Sequence, residues 1–90
     1  MKDQNGLYYY PNPADTTTRV YVQEGASGPE FRLWRQDLPQ VWEKHGWLPI
    51  GVIEAAAKMY REPPGSADPM QLYDKAVAEA LIKEDRHGRN

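Results

Sequence analysis

Apolar and polar residues follow a strand-like pattern in the first third of the chain. Three segments there are rich in aromatic and β-branched residues, and they predict strands at residues 7–10, 16–24 and 30–35. The prolines of segment 11–15 end the first strand because they remove backbone donors. The glycine-containing segment 25–29 joins the other two strands and predicts an antiparallel hairpin between them.

The pattern becomes helical after the third strand. Three helices are predicted, at residues 38–45, 49–61 and 68–85. Asp37 is a suitable N-cap for the first helix, and Gly46 suits the position after its end. Asp68 and Pro69 give the strongest start signal, an N-cap carboxylate followed by proline at the first helical position. The second helix, which Pro49 opens, is apolar around most of its circumference, and this predicts burial between the sheet and the third helix or at a partner interface.

Together these elements predict an α+β fold, with a small three-stranded antiparallel sheet followed by three helices packed mainly on one face. The 90 residues are too few for a second core. We therefore expect a single domain over residues 7–86, a disordered N-terminus at residues 1–6 and a frayed C-terminal tail at residues 87–90.

Strand alternation collects aromatic and basic side chains on one face of the predicted sheet. If Val20, Val22, Phe31 and Leu33 meet the helices, the opposite face displays a candidate binding surface. Its members are Arg19, Tyr21, Arg32 and Trp34, joined by Tyr8 and Tyr10, or by Tyr9 alone, depending on the register.

Three interpretations of the candidate binding surface stay open. Its side chains can be cross-strand packing pairs, in which arginine stems cover the rings. They can form a protein-binding surface, since Tyr, Trp and Arg are enriched at interface hot spots. They can form a stacking platform for single-stranded nucleic acid. Trp42 and Trp47 are predicted to form a separate group at the junction of sheet and helices.

Charge and composition narrow these interpretations. The 11 basic and 13 acidic residues nearly cancel and are spread evenly, so the chain lacks the basic footprint of a nucleic-acid-binding protein. The absence of cysteine excludes disulfides and thiolate metal sites. The sequence has neither an apolar stretch long enough to span a bilayer nor the apolar core of a signal peptide. We therefore expect a soluble cytoplasmic protein without membrane contact.

Motifs for catalysis or metal binding are not visible in the sequence. His45 is interpreted as a helix-end residue favoured by the helix dipole, and Ser27 and Ser66 lie in glycine-containing turns. Residues 37–61 fit a helix–turn–helix motif poorly, because Trp42 stands where a small side chain is needed for the two helices to cross. We expect no enzyme activity, no catalytic or metal-binding residue and no cofactor.

The order of Trp34, Pro39 and Trp42 after three strands loosely resembles MbtH-like proteins, small partners of adenylation enzymes. The chain lacks the Trp-Pro dipeptide and the closing Trp-Thr-Asp of that family, so no function is taken from this resemblance. The prediction from the residues is a noncatalytic, bacterial-type protein–protein interaction module that uses the candidate binding surface to hold an unknown protein partner. The alternative is a protein that binds single-stranded nucleic acid on the same face. The chain is expected to be a monomer or a weak homodimer through helix 49–61.

Overall fold

The computed structural model describes residues 1–59 and 73–87. Within these residues it has an antiparallel sheet of five strands in the order β1-β2-β3-β4-β5 and three helices. The strands are β1 (Lys2–Asp3), β2 (Gly6–Tyr9), β3 (Thr18–Gly25), β4 (Gly28–Arg35) and β5 (Leu48–Pro49). The helices are α1 (Gln40–His45), α2 (Ile50–Met59) and α3 (Lys75–His87). The predicted mixture of an antiparallel sheet and three helices is confirmed.

The β3–β4 hairpin forms the centre of the sheet, as the alternation of its residues predicts. Val20 lies opposite Leu33 and Val22 lies opposite Phe31, so the aliphatic side chains share one face. Gly28 at the turn has φ of +126°, a backbone conformation that residues with a side chain rarely adopt.

The prediction of three strands is wrong, because two short strands extend the sheet at its edges. Lys2 and Asp3 pair with Leu7 and Gly6, so the predicted disordered N-terminus contributes β1. At the other edge, the link after α1 pairs with β4 and forms β5. Strands of two residues are too short to show a period, which explains why the pattern did not reveal them.

The hydrophobic core lies on the face of the sheet that carries the aliphatic side chains. Its fully or almost fully buried members come from β3, β4, α2, α3 and the residues just before α3: Val20, Val22, Phe31, Ile50, Ile53, Tyr73 and Ala78. Tyr73 packs its ring 5.5 Å from that of Phe31. Burial of this apolar surface is the main force that holds α2 and α3 against the sheet.

Helix α1 packs on the opposite face of the sheet from α2 and α3, so two of the three described helices share the predicted face. The Trp42 ring contacts the ring of Tyr21 at 5.0 Å between centroids, and Tyr21 points away from the core because it alternates with Val20 and Val22. The helix also starts later than predicted, since Asp37 pairs with Arg35 at 2.8 Å instead of capping it.

Helix α2 buries Ile50 and Ile53 in the core, but Val52 is 55% exposed. The prediction of burial therefore holds for one side of the helix. Its predicted last residues, 60–61, lie outside the described residues.

Helix α3 begins at Lys75, and Tyr73 and Asp74 before it are not helical. A continuous helix from residue 68 is therefore wrong, although the predicted start at Asp68 lies outside the described residues. Asp74 is the observed cap, since its Oδ1 accepts hydrogen bonds from the amides of Ala76 and Val77. The helix extends to His87. The rest of the predicted tail, 88–90, lies outside the described residues.

Candidate functional site

The face of the sheet opposite the core carries most of the chain's aromatic residues together with two arginines. The register places Tyr8 beside Tyr21, Tyr21 beside Arg32, and Arg19 beside Trp34. Trp42 joins from α1, and Trp47 contacts Trp42. We call this set the aromatic–arginine face: Tyr8, Tyr10, Arg19, Tyr21, Arg32, Trp34, Trp42 and Trp47. All six residues of the candidate binding surface belong to it.

Arg19 lies at the centre of one half of this face. Its guanidinium carbon is 4.9 Å from the ring centroid of Tyr8 and 4.6 Å from that of Trp34. Each contact is a cation–π interaction, worth about 0.5–1 kcal/mol at a surface site. Its Nη1 donates to Asp3 Oδ2 at 3.3 Å and to the Tyr21 hydroxyl at 3.2 Å. The arginine is therefore fixed both by the two rings and by hydrogen bonds.

Strand β1 supplies the acid that balances this arginine. The Tyr21 hydroxyl donates to Asp3 Oδ2 at 2.6 Å. Burial opposes ionisation of Asp3, but the hydrogen bonds from Tyr21 and the Asn5 amide, together with the Arg19 charge, lower the pKa of its carboxyl. Burial and the hydrogen bond to Asp3 raise the pKa of Tyr21. The ion pair therefore stays charged at neutral pH and holds β1 on the sheet.

Trp42 and Trp47 cover the other half of the aromatic–arginine face. The Arg32 guanidinium carbon lies 3.9 Å from the ring centroid of Trp42, and Arg32 Nε donates to the Trp42 carbonyl at 2.8 Å. Tyr21 beneath them is only 1% exposed. The predicted separation of the two tryptophans from the sheet face is therefore wrong. Leu48 of β5 packs against the core. Because successive residues of a strand point to opposite faces, recognising β5 in the sequence would have placed the preceding Trp47 on the aromatic–arginine face.

The open part of the face consists of Tyr8, Tyr10, Arg19 and Trp34, all of which are half-buried. The Tyr8 and Tyr10 rings meet edge to face at 5.8 Å. Tyr21, although predicted as a contact residue, supports this part from below. Partly exposed aromatic rings around a fixed guanidinium can bind flat or apolar groups and can accept cation–π or stacking contacts.

Comparisons with protein-family models, with curated proteins and with solved structures found no match to this chain. The geometry of the aromatic–arginine face is therefore the basis for inferring a function.

The described residues give little support to metal binding. None of the described His, Asp and Glu residues form groups of three or more that could hold a metal ion. The Asp3, Arg19 and Tyr21 hydrogen bonds join these three residues to one another. His45 ends α1 with its side chain exposed. Among residues 1–59 and 73–87, no helix has both the length and the apolar character to cross a membrane.

Proposed function

We propose that this chain is a noncatalytic protein-binding module whose contact surface is the open part of the aromatic–arginine face. The observation that carries the proposal is the Arg19 guanidinium held between the rings of Tyr8 and Trp34. Trp, Tyr and Arg are the side chains that most often dominate binding energy at protein interfaces.

The fixed geometry of these side chains supports binding. A side chain already held in one rotamer loses little entropy when a partner arrives, and this saves roughly 0.5–1.5 kcal/mol for each side chain. Arg19 is restrained by two rings and by the Asp3 carboxylate. The surface is therefore preorganised before any partner binds.

The local charge favours a protein partner over nucleic acid. Arg19 is paired with Asp3, and Arg32 lies under Trp42 with its Nε bonded to a carbonyl. Phosphate binding depends on cations that are free to neutralise the backbone. An aromatic surface whose arginines already have partners fits the mixed apolar and polar surface of another protein better.

The double variant Trp34→Ala, Tyr10→Ala tests the proposal. The wild-type protein is immobilised, its partner is identified by mass spectrometry, and affinity for the purified partner is then measured by calorimetry. Loss of two hot-spot residues should weaken binding by roughly 700-fold, since each costs about 2 kcal/mol. The matched control is Val52→Ala, Val77→Ala, which removes exposed apolar side chains elsewhere on the molecule. Equal affinity of the double variant and the control would show that this face does not bind the partner.

Single-stranded nucleic acid is a second candidate ligand for the same surface, because the Trp34 and Tyr8 rings are groups on which bases stack. Fluorescence anisotropy with labelled oligonucleotides at low salt tests it. Absence of binding at protein concentrations of roughly tens of micromolar rules it out, since such sites are strengthened at low salt.

A weak homodimer through helix α2 is a separate proposal for assembly. Val52 lies more than half exposed on this helix, and Gly51 and Ala55 beside it are exposed as well. Sedimentation equilibrium over a range of concentrations tests it. A mass that stays at 10.3 kDa throughout excludes the dimer.

A further inference from the structure

A cavity of about 620 Å³ lies between the β3–β4 turn and the last turns of α3. Glu24, Gly28 and Pro29 line it from the hairpin. The cavity is separate from the aromatic–arginine face, because α3 packs on the core side of the sheet through Ala78. Its volume falls within the range of about 300–1,000 Å³ that is typical of small-molecule sites.

The helix side of the cavity is built by residues that share one face of α3. Glu79, Ile82, Lys83 and Arg86 line it, and Glu79 and Arg86 are each three or four positions from Ile82 and Lys83. Ile82 supplies an apolar wall and is half-buried. Pro29, which is buried, supplies an apolar surface on the opposite side. The interior of the cavity therefore suits an apolar body.

Two carboxylates and two cations line the cavity together with His87, and one of the two cations has no ion-pair partner among the described residues. Glu24 pairs with Arg86, and Glu79 lies 4.0 Å from Lys75. Lys83 takes part in no ion pair within the described part of the chain. A charged group at the rim of an apolar cavity attracts a ligand of opposite charge.

We infer that this cavity binds a small amphipathic anion, a carboxylate carried on an apolar chain, with Lys83 facing the carboxylate and Ile82 and Pro29 against the chain. The inference does not depend on the proposed protein-binding function, because it uses a different surface.

A second cavity, lined by both apolar and charged residues, adjoins the site. Its volume is about 250 Å³, and Leu7 and Val22 of the sheet contribute to its lining. Glu24, Ile82 and Arg86 line both cavities. The Glu24–Arg86 ion pair therefore lies at their boundary. Its side chains are 55% and 59% exposed, and such exposed pairs contribute little to stability. The apolar chain of a ligand must separate this ion pair to enter the second cavity, and that separation costs little free energy.

Octanoate is the probe for this inference, and titration into the ¹⁵N-labelled protein is followed by amide chemical shifts. The expected result is saturable movement of the signals of Gly28, Ile82 and Lys83. Lys83→Gln should weaken octanoate binding about fivefold, the effect of one partly exposed ion pair. Lys44→Gln on α1 makes the same charge change outside the cavity and should leave the affinity unchanged. Ile82→Ala should also weaken binding, because it removes part of the apolar wall.

Three results would overturn the inference. They are the absence of saturable shifts at these residues, equal binding of the uncharged octan-1-ol, and equal effects of Lys83→Gln and Lys44→Gln. Repeating the titration with Trp34→Ala separates this site from the proposed protein-binding face. Unchanged octanoate affinity in that variant is expected, whereas a loss would place the ligand on the aromatic–arginine face.

Discussion

The Trp42→Ala variant measures how firmly α1 is held on the sheet. Trp42 makes ring contacts with Tyr21 at 5.0 Å and Trp47 at 6.5 Å, and a cation–π contact with Arg32 at 3.9 Å. Each ring contact is worth about 1 kcal/mol, and the cation–π contact adds about 1 kcal/mol. The expected decrease in the free energy of unfolding is therefore about 3 kcal/mol.

Urea unfolding followed by far-ultraviolet circular dichroism gives this quantity, because the signal does not depend on the tryptophan that is removed. Trp47→Ala is the matched control. Trp47 has a single described ring contact, so a decrease of about 1 kcal/mol is expected. Equal decreases in the two variants, or a loss below about 1 kcal/mol for Trp42→Ala, would refute the position assigned to α1.

Three further predictions concern side chains that form hydrogen bonds. The pKa of Asp3 is lowered in the folded state, so its ionised form stabilises the fold above about pH 4 and this contribution disappears as the pH falls through the lowered pKa. The stability difference between wild type and Asp3→Asn should accordingly shrink in acid unfolding titrations, and a constant difference contradicts the assignment. Asp74→Ala should cost about 1 kcal/mol in thermal unfolding, since it removes the cap of α3. Burial raises the pKa of Tyr9 to about 12, and its hydroxyl accepts from the Asp74 amide at 2.8 Å. Tyr9→Phe should therefore speed hydrogen exchange of that amide, and an unchanged rate argues against the bond.

Much of the central sheet could be predicted from the sequence because its residues alternate. Val20 and Val22 stand on one side and Arg19 and Tyr21 on the other, and a period of two leaves only one way to bury the aliphatic pair. The same reasoning placed the residues of the candidate binding surface together. It could not show that Tyr21 is covered, because the cover comes from α1.

The β5 edge of the sheet and the position of α1 depend on contacts distant in sequence. The Asn5-Gly6 dipeptide is a hairpin signal that would have indicated β1, and Gly6 indeed has φ of +125°. No comparable local signal marks β5. Trp42 could be recognised as a residue that needs a packing partner, but the Tyr21 ring that it covers lies on a strand 21 positions earlier.

The order of the strands has a consequence for how the chain folds. Within residues 1–59 and 73–87, every strand pairs with its neighbour in sequence, and β3 and β4 are joined by the two residues between Gly25 and Gly28. Closing so short a loop costs little chain entropy, so this hairpin can form early and the sheet can grow outward from it. We therefore expect substitutions in the hairpin, such as Val22→Ala, to slow folding in stopped-flow experiments. Substitutions at the late-joining edge, such as Leu48→Ala, should mainly speed unfolding, and the reverse pattern would exclude this order of assembly.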